Sequence, residues 1–480
     1  MELPDNPQDC HTLIVQLLAI ISKQGSDSCA VIAALEARIT ELEARLNQNS
    51  RNSSKPPSSD DLHNKTRSTG LPPPSKKQGG QEGHLGKTLV KVDNPDFVIS
   101  VTTSVCSCGQ VLDPLTGEVI KTCQVFDLPE PKLEVTEYRV IRQVCSCGQV
   151  HVGRLPDWIN GNVQYGPGVR ALTVLLHNSC QLSLEKISTL IADLFGYNLN
   201  EATSVSNNDL AHKQLEPVEN DIKQALIESQ VVHSDESGVL VDKKLHWLHT
   251  ASNGLFTLLF ISLHRGAKAH EGTESILPSF KGWLIHDCWS TYFAFKNCSH
   301  GLCGSHLLRE LFAQMEEGKI WAKELRQFLL DLHRNTKGGT KSVPDIDVVK
   351  QKWLQMCDRA TQYEHSQHPP PNPNVKKRGR KSKPKALNLL ERLTKHADAV
   401  LAFAEHDVVP FTNNQAERDV RPVKTKMKVA GCFRTIKGAQ KYARIQGFIS
   451  TCRKHKLNVF NELRAVCTSH ISYRAPWSAK

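Results

Sequence analysis

QVVHSDESGVLV (230–241), KLHWLHTAS (244–252) and LFTLLFISLHRG (255–266) are three apolar runs separated by turn-sized gaps, the pattern of an antiparallel meander. Downstream, HEGTESILPSF (270–280) reads as a helix and GWLIHDCW (282–289) as a further strand. Two of these runs are interrupted by a carboxylate, Asp235 in the first strand and Asp287 in the last. A carboxylate in a strand core is costly unless it has a partner or a cation.

Three antiparallel strands, a helix and then another strand is the element order of a ribonuclease H-like α/β core, expected here over 229–460. From Ser305 to about Asp407 the sequence turns helical and polar, which predicts a helical insertion at about 305–407. The core resumes in FTNNQAERDVRPVKTKMKVAGCFRT (411–435), where Glu417 opens a basic helix capped by Asn413 or Asn414. Brought together, Asp235, Asp287 and Glu417 would hold two divalent metals for phosphoryl chemistry. Glu236, Asp242 and Asp419 are the local competitors, and any one of the six acids taken alone reads equally as a surface carboxylate. Cys303-x-x-His306 reads as half a metal site or as a structural pair. Trp289 and Tyr292 suit either base stacking or core packing.

Outside this core the composition shifts several times. Residues 28–47 read as a short coiled-coil helix, with Ile32, Leu35, Ile39, Leu42 and Leu46 at alternating three- and four-residue steps. A Pro/Ser/Lys linker at 48–87 follows. A small β module is expected at 88–160, where the peptide VCSCGQV occurs twice, as Cys106-x-Cys108-Gly109 and Cys145-x-Cys147-Gly148. These four cysteines suit a zinc ribbon-like structural Zn²⁺ site, with a metal-free pair of hairpins as the alternative because the usual knuckle is Cys-x-x-Cys. Residues 161–228 read as a helical domain with helix-turn-helix spacing around Gly196, either a DNA reader or a plain packing unit. Residues 461–480 read as a C-terminal tail.

The chain has 480 residues, 39% hydrophobic and 23% charged, and a net charge of +11. That composition describes a globular protein, and no apolar run approaches the ~18 residues of a membrane span. With an acidic, Pro-rich start in place of a secretory signal, the expected location is cytoplasmic and nucleoid-associated, with thiols rather than disulfides. The positive charge is clustered. Twelve Lys or Arg face two acids between Glu417 and Lys456, and KKRGRKSKPK (376–385) carries seven basic residues and no acid. Such blocks suit a polyanion. The expected phosphate contacts are Arg418, Arg421, Lys424, Lys426 and Arg434, with Lys376, Lys377, Arg378 and Arg380 in a non-specific clamp.

Several motifs also carry a resemblance: NSSKPPSSD (52–60), the Cys-Gly repeat, YGPGVRAL (165–172), HSDESG (233–238), GWLIHD (282–287), Cys303-x-x-His306 and NNQAERDVRPVKTKMKVAGCFRT (413–435). Through them the chain resembles the insertion-sequence-66 family of transposases over nearly its whole length. The resemblance implies a DDE-type recombinase with a ribonuclease H-like domain, Asp235, Asp287 and Glu417 as its triad, Mg²⁺ or Mn²⁺ as cofactor, and a zinc-finger-like module. It also implies element ends and target DNA as partners, a homodimer or higher assembly pairing two ends, and accessory proteins of the same element. The chain departs from the family in having Cys-x-Cys where Cys-x-x-Cys is usual. A nuclease without strand transfer and a non-catalytic DNA-end-binding protein are the competing expectations.

Overall fold

The computed structural model describes residues 35, 36, 38, 39, 42 and 43, then 89–113, 118–336, 345–367, 383–468 and 473–479. Of the expected 28–47 helix, the six described positions are helical and Leu42 is fully buried. The rest of that helix and the 48–87 linker lie outside the described residues. The chain divides into two units, one made of 73–153 with 188–199 and the other of the remaining segments.

The smaller unit has little regular structure. Strands β1 (Arg142–Val144) and β2 (Val150–Val152) pair antiparallel across a tight turn. There Cys145 N–H donates to Gln149 O and Gly148 N–H to Cys145 O, each at 2.8 Å, and Gly148 takes φ +86°, a conformation that favours glycine. The first copy of VCSCGQV repeats this turn, with Cys106 N–H on Gln110 O at 2.8 Å and Gly109 at φ +90°. One peptide thus encodes one turn twice. Among the described residues, ladder pairing in 89–153 is confined to these turns and their flanks, so the β-rich expectation for 88–160 holds only locally. A strand persists only where a neighbour takes up its backbone groups, and among the described residues FVISVTTS (97–104) finds one only at its end, where Ser104 O accepts from Leu112 N–H at 3.0 Å.

In the larger unit, α1 (Pro167–Asn178), α3 (Glu201–Gln214) and α4 (Glu216–Ile227) precede the sheet. Helix α2 (Leu184–Phe195) stops at Gly196, φ +72°, and α3 starts where Asn200 Oδ1 accepts from Ala202 N–H at 2.8 Å. That is the spacing expected around Gly196. The meander then follows as β3 (Val231–Val241), β4 (Lys244–Ser252) and β5 (Thr257–Ser262). Strands β6 (Trp283–His286) and β7 (Ser299–Leu302) join parallel on the other side of β3, giving the order β5-β4-β3-β6-β7. The helix expected at 270–280 is absent; two 3-10 turns, Ala267–His270 and Leu277–Ser279, stand there instead. Gly272 and Pro278 deny so short a segment the uninterrupted turns a helix nucleus requires.

Helices α5 (Gly304–Glu316), α6 (Ile320–Thr336), α7 (Ile346–Gln367), α8 (Lys385–Lys395) and α9 (Ala397–Glu405) fill the interval expected as an insertion. Their apolar faces gather around Trp353, Leu329 and Leu390 and reach the sheet at Ile285 and Leu302. Helices α10 (Asn414–Ala430), α11 (Ile436–Lys454) and α12 (Val459–Thr468) complete the unit.

Strand alternation divides the sheet into two faces. Val232, Ala251, Leu258 and Leu284 pack with α1, α3, α4, α11 and α12. Val239, Val241, Leu248 and Leu259 pack with Val420 and Val423 of α10 and Tyr442 of α11. The edge strand β5 is covered, since Thr257 N–H donates to Thr451 Oγ1 of α11 at 3.1 Å. Helices α1, α3 and α4 share a core with the sheet, and Leu463, Val466, Cys467 and Tyr473 are buried in that same core. Among the described residues no helix is long and apolar enough to cross a membrane.

Candidate active site

Strands β3 and β6 run parallel in the register Val231↔Trp283, Val232↔Leu284 and His233↔Ile285. Asp235 lies two residues past the last of these pairs on β3, and Asp287 directly follows β6; the two are near enough for the charge of Asp287 to act on Asp235. The turn after β6 is strained, because Cys288 takes φ +74° without being glycine. It aims Asp287 Oδ1 at the N–H of Trp289, 3.0 Å away.

Alternation sends the neighbouring Glu236 to the opposite face. There Arg265 donates to its Oε1 from Nε at 3.0 Å and from Nη2 at 2.7 Å, and the Tyr292 hydroxyl donates to Oε2 at 2.6 Å. Both oxygens are occupied. Arg265 is itself held over the Trp289 ring at 4.2 Å and the Trp247 ring at 4.8 Å. Tyr292 is buried core and Trp289 faces an arginine, so neither presents a free stacking surface. Asp419 is buried in an ion pair with Lys454 at 2.8 Å and also accepts from Gln415 at 3.0 Å. Asp242 sits exposed at the β3–β4 turn. The three competing acids are thus accounted for by other partners or by distance along the strand.

Glu417 arrives on the first turn of α10, whose start is fastened by Asn413. The Asn413 side chain does not cap the helix. Its Nδ2 donates to Ser234 O at 2.7 Å, and its Oδ1 shares a hydrogen bond with His233 Nδ1 at 2.9 Å. Its backbone N–H points to Cys303 Sγ at 3.1 Å. Asn413 therefore ties α10 to the strand segment that immediately precedes Asp235. Gly304, after Cys303, donates to Phe411 O at 2.7 Å, and a Cβ there would overlap the Phe411 ring. That close approach brings the start of α5 against the start of α10.

The electrostatics follow from this crowding. Burial first, then the charges of Glu236 and Asp287, push the Asp235 carboxyl up to about 8. Burial and Glu236 likewise raise Asp287. Lys424, two turns beyond Glu417 on the same helix face, opposes the rise at Asp235. A partly buried group of like charges is what a divalent cation relieves.

On the far side of Glu417 lies a second cluster. Cys303 Sγ, a ring nitrogen of His306 and a carboxylate oxygen of Glu417 all lie within 4.8 Å of one another. His306 Nδ1 and Glu417 Oε1 are 3.8 Å apart, and both are buried without a hydrogen-bond partner. Burial lowers the imidazole of His306 to about 3 and raises the thiol of Cys303 to about 11. Cys303-x-x-His306, half a site in the sequence, finds its third side chain in Glu417. No spacing rule could have supplied it, since the partner comes from another element.

The expected phosphate contacts divide. Arg418, Arg421 and Arg434 are exposed, and Lys424 is half-buried beside the carboxylates. Lys426 is a correction: it is buried, with its ammonium 5.8 Å from the Tyr442 ring centroid, because position 426 lies on the helix face opposite Glu417 and Lys424. Lys376, Lys377, Arg378 and Arg380 lie outside the described residues. In the two Cys-Gly turns, Cys108 and Cys147 hold the Cys106 and Cys145 thiols below the ordinary range, through backbone and then thiol hydrogen bonds. The four thiols do not converge; among the described residues the Cys303 cluster alone gathers three ligand atoms within 4.8 Å.

Residues 162–441, more than half of the chain, match the Transposase IS66 family. The chain belongs to the IS66 transposase family. Membership makes it a DNA-processing enzyme with a transposase role. The matched span of this IS66 transposase contains the whole five-stranded sheet, Asp235, Asp287, the α5–α9 helices and Glu417. The Cys-Gly turns fall outside it. A second match, to a family of unknown function, covers residues 4–89. Comparison with curated proteins gave no match.

Proposed function

We propose that this IS66 transposase cuts DNA at the ends of its element and joins them to target DNA, using a ribonuclease H-like core and Asp235, Asp287 and Glu417 as a DDE triad. The observation that carries the reading is that Asp235 on β3, Asp287 just past its parallel neighbour β6 and Glu417 on α10 are close enough to act on one another's charge, with α10 fastened to β3 by Asn413. The strand order, three antiparallel strands extended by two parallel ones, supports the ribonuclease H-like assignment.

The donor set fits Mg²⁺ or Mn²⁺. It is all carboxylate oxygen. When bound, two such ions activate an attacking oxygen and stabilise a leaving one. The chain's own work is placement. Asn413 and Gly304 hold the start of α10, and the strained Asp287 turn fixes the second carboxylate. Glu417, Arg421, Lys424 and Lys428 recur at helical spacing on one face of α10, so phosphate oxygens near the triad would meet Arg421 and Lys424 first. Arg418, Arg434 and the 376–385 block extend the contact to flanking phosphates. In this reading two copies of the chain pair two element ends.

The test is cleavage and joining of a labelled DNA carrying the element's own end, with Mg²⁺, by the wild type and by Glu417→Gln. Loss of both products with DNA binding retained is the expected result. Equal activity in the two proteins refutes the triad, and cut but never joined product replaces the transposase with a nuclease.

A further inference from the structure

We infer that Cys303, His306 and Glu417 form a binding site for one divalent transition-metal ion of the Zn²⁺ class. The three side chains come from the β7–α5 junction and from α10, and each offers a different donor: sulfur, nitrogen and oxygen. A tetrahedral ion with bonds of about 2.0–2.3 Å sets its ligand atoms roughly 3.3–3.8 Å apart. His306 Nδ1 and Glu417 Oε1 are 3.8 Å apart, too far for a hydrogen bond and a few tenths of an ångström wider than the roughly 3.3–3.5 Å that a nitrogen and an oxygen ligand of one ion span.

Two observations point independently to an occupant. His306 Nδ1 and Glu417 Oε1 are both buried and both lack any hydrogen-bond partner, whereas buried polar atoms in folded proteins are satisfied as a rule. In addition, the ligands are held by a built surround. Asn413 N–H points at Cys303 Sγ from 3.1 Å, and Gly304 lets the Phe411 backbone and ring close over the start of α5. Such outer contacts orient metal ligands. Arg309 and Lys424 stand near His306, and the thiolate and carboxylate bring two negative charges against them.

The chemistry selects the ion. Sulfur and imidazole favour Zn²⁺ over Mg²⁺ or Ca²⁺, in contrast to the all-oxygen set around Asp235 and Asp287. On binding, the Cys303 thiol loses its proton to solvent and sulfur bonds to the metal. His306 donates its Nδ1 lone pair and keeps its proton on Nε2, and no electron changes hands. Three protein ligands leave a fourth position for water. Glu417 is common to this cluster and to the proposed triad, so the ion would fix the carboxylate that the triad uses. The metal assignment itself does not depend on the DNA chemistry, because it is read without DNA.

The full-length protein is stripped with a chelator, dialysed against Zn²⁺ and assayed for bound metal, then titrated with Co²⁺ to follow the thiolate-to-cobalt charge-transfer band. Wild type, Cys303→Ser and His306→Gln are compared, with Cys432→Ser as control; the turn cysteines contribute equally to all four. Both ligand variants are expected to lose one equivalent of Zn²⁺, with affinity at that site down by about 100-fold or more, beyond the loss from removing an outer-shell partner alone. Cys303→Ser should also lose part of the charge-transfer band, and Cys432→Ser should match wild type. Wild-type stoichiometry in both ligand variants, or no tightly bound metal in the wild type, overturns the assignment in favour of a bridging water. Should Cys303→Ser fail to fold, His306→Gln decides.

Discussion

Replacing Asn413 with alanine tests the claim that one side chain sets where Glu417 stands. In the wild type the Asn413 amide is buried and satisfies two groups on β3, the Ser234 carbonyl at 2.7 Å and the His233 ring at 2.9 Å. Alanine leaves both without a partner, while the backbone N–H can still reach Cys303 Sγ. An orphaned buried group costs about 1–3 kcal/mol, so two predict a loss of about 3 kcal/mol, or roughly 4–5 °C in melting temperature for a unit of this size. The larger effect is expected in catalysis. Freed from β3, α10 no longer holds Glu417 to within a fraction of an ångström, and a 1 Å misplacement costs about 100-fold in rate. Chemical denaturation and strand-cleavage rates at saturating Mg²⁺ measure the two effects on the same preparations. Asn413→Asp separates them, because it keeps the acceptor for His233 and loses only the donor to Ser234; it should fall between wild type and alanine. A variant Asn413→Ala that melts within about 1 °C of wild type and cleaves at the same rate would refute the fastening.

Asp235 makes a prediction in pH. Its folded value of about 8 lies above its ordinary value of 3.8, so between those limits the folded state holds a proton that the unfolded state releases. Without divalent cations, stability should therefore fall as pH rises from about 4 to about 8, and Asp235→Asn should flatten that fall; an unchanged profile in thermal melts across that range would contradict the crowded-carboxylate picture. The salt dependence of DNA binding discriminates two basic residues on one helix. Arg421→Ala should lower the slope of log K against log salt by about 1, whereas Lys426→Met, buried against Tyr442, should leave the slope unchanged; equal changes would mean that the burial does not persist on DNA.

How much of this was legible in the sequence depends on the range of the interaction concerned. Strands β3, β4 and β5 are readable because their alternation is local, and Asp235 and Asp287 stand out because each breaks an apolar run. Strand β7 is not readable, since SHGL has neither length nor alternation; it is a strand only because β6 lies beside it. What α1 and α4 pack against is not readable for a related reason. Periodicity shows that α1 and α4 each bury a face, but not that the burying surface is the sheet itself. Competition among the acids is the clearest case. By sequence Glu236 is as good a ligand as Asp235. What separates them is Arg265 and Tyr292, remote along the chain and adjacent across the sheet. The same logic applies to Glu417, which the sequence presents as one helix-borne carboxylate. Folding gives it two neighbourhoods, the Asp235 face and the Cys303–His306 pair. The orphaned oxygen faces the second of these. A carboxylate that serves only the first would have no reason to leave a buried oxygen unsatisfied against an equally unsatisfied imidazole. The position of Glu417 is therefore best understood as a compromise between two sites, and a variant that alters one should be measurable at the other.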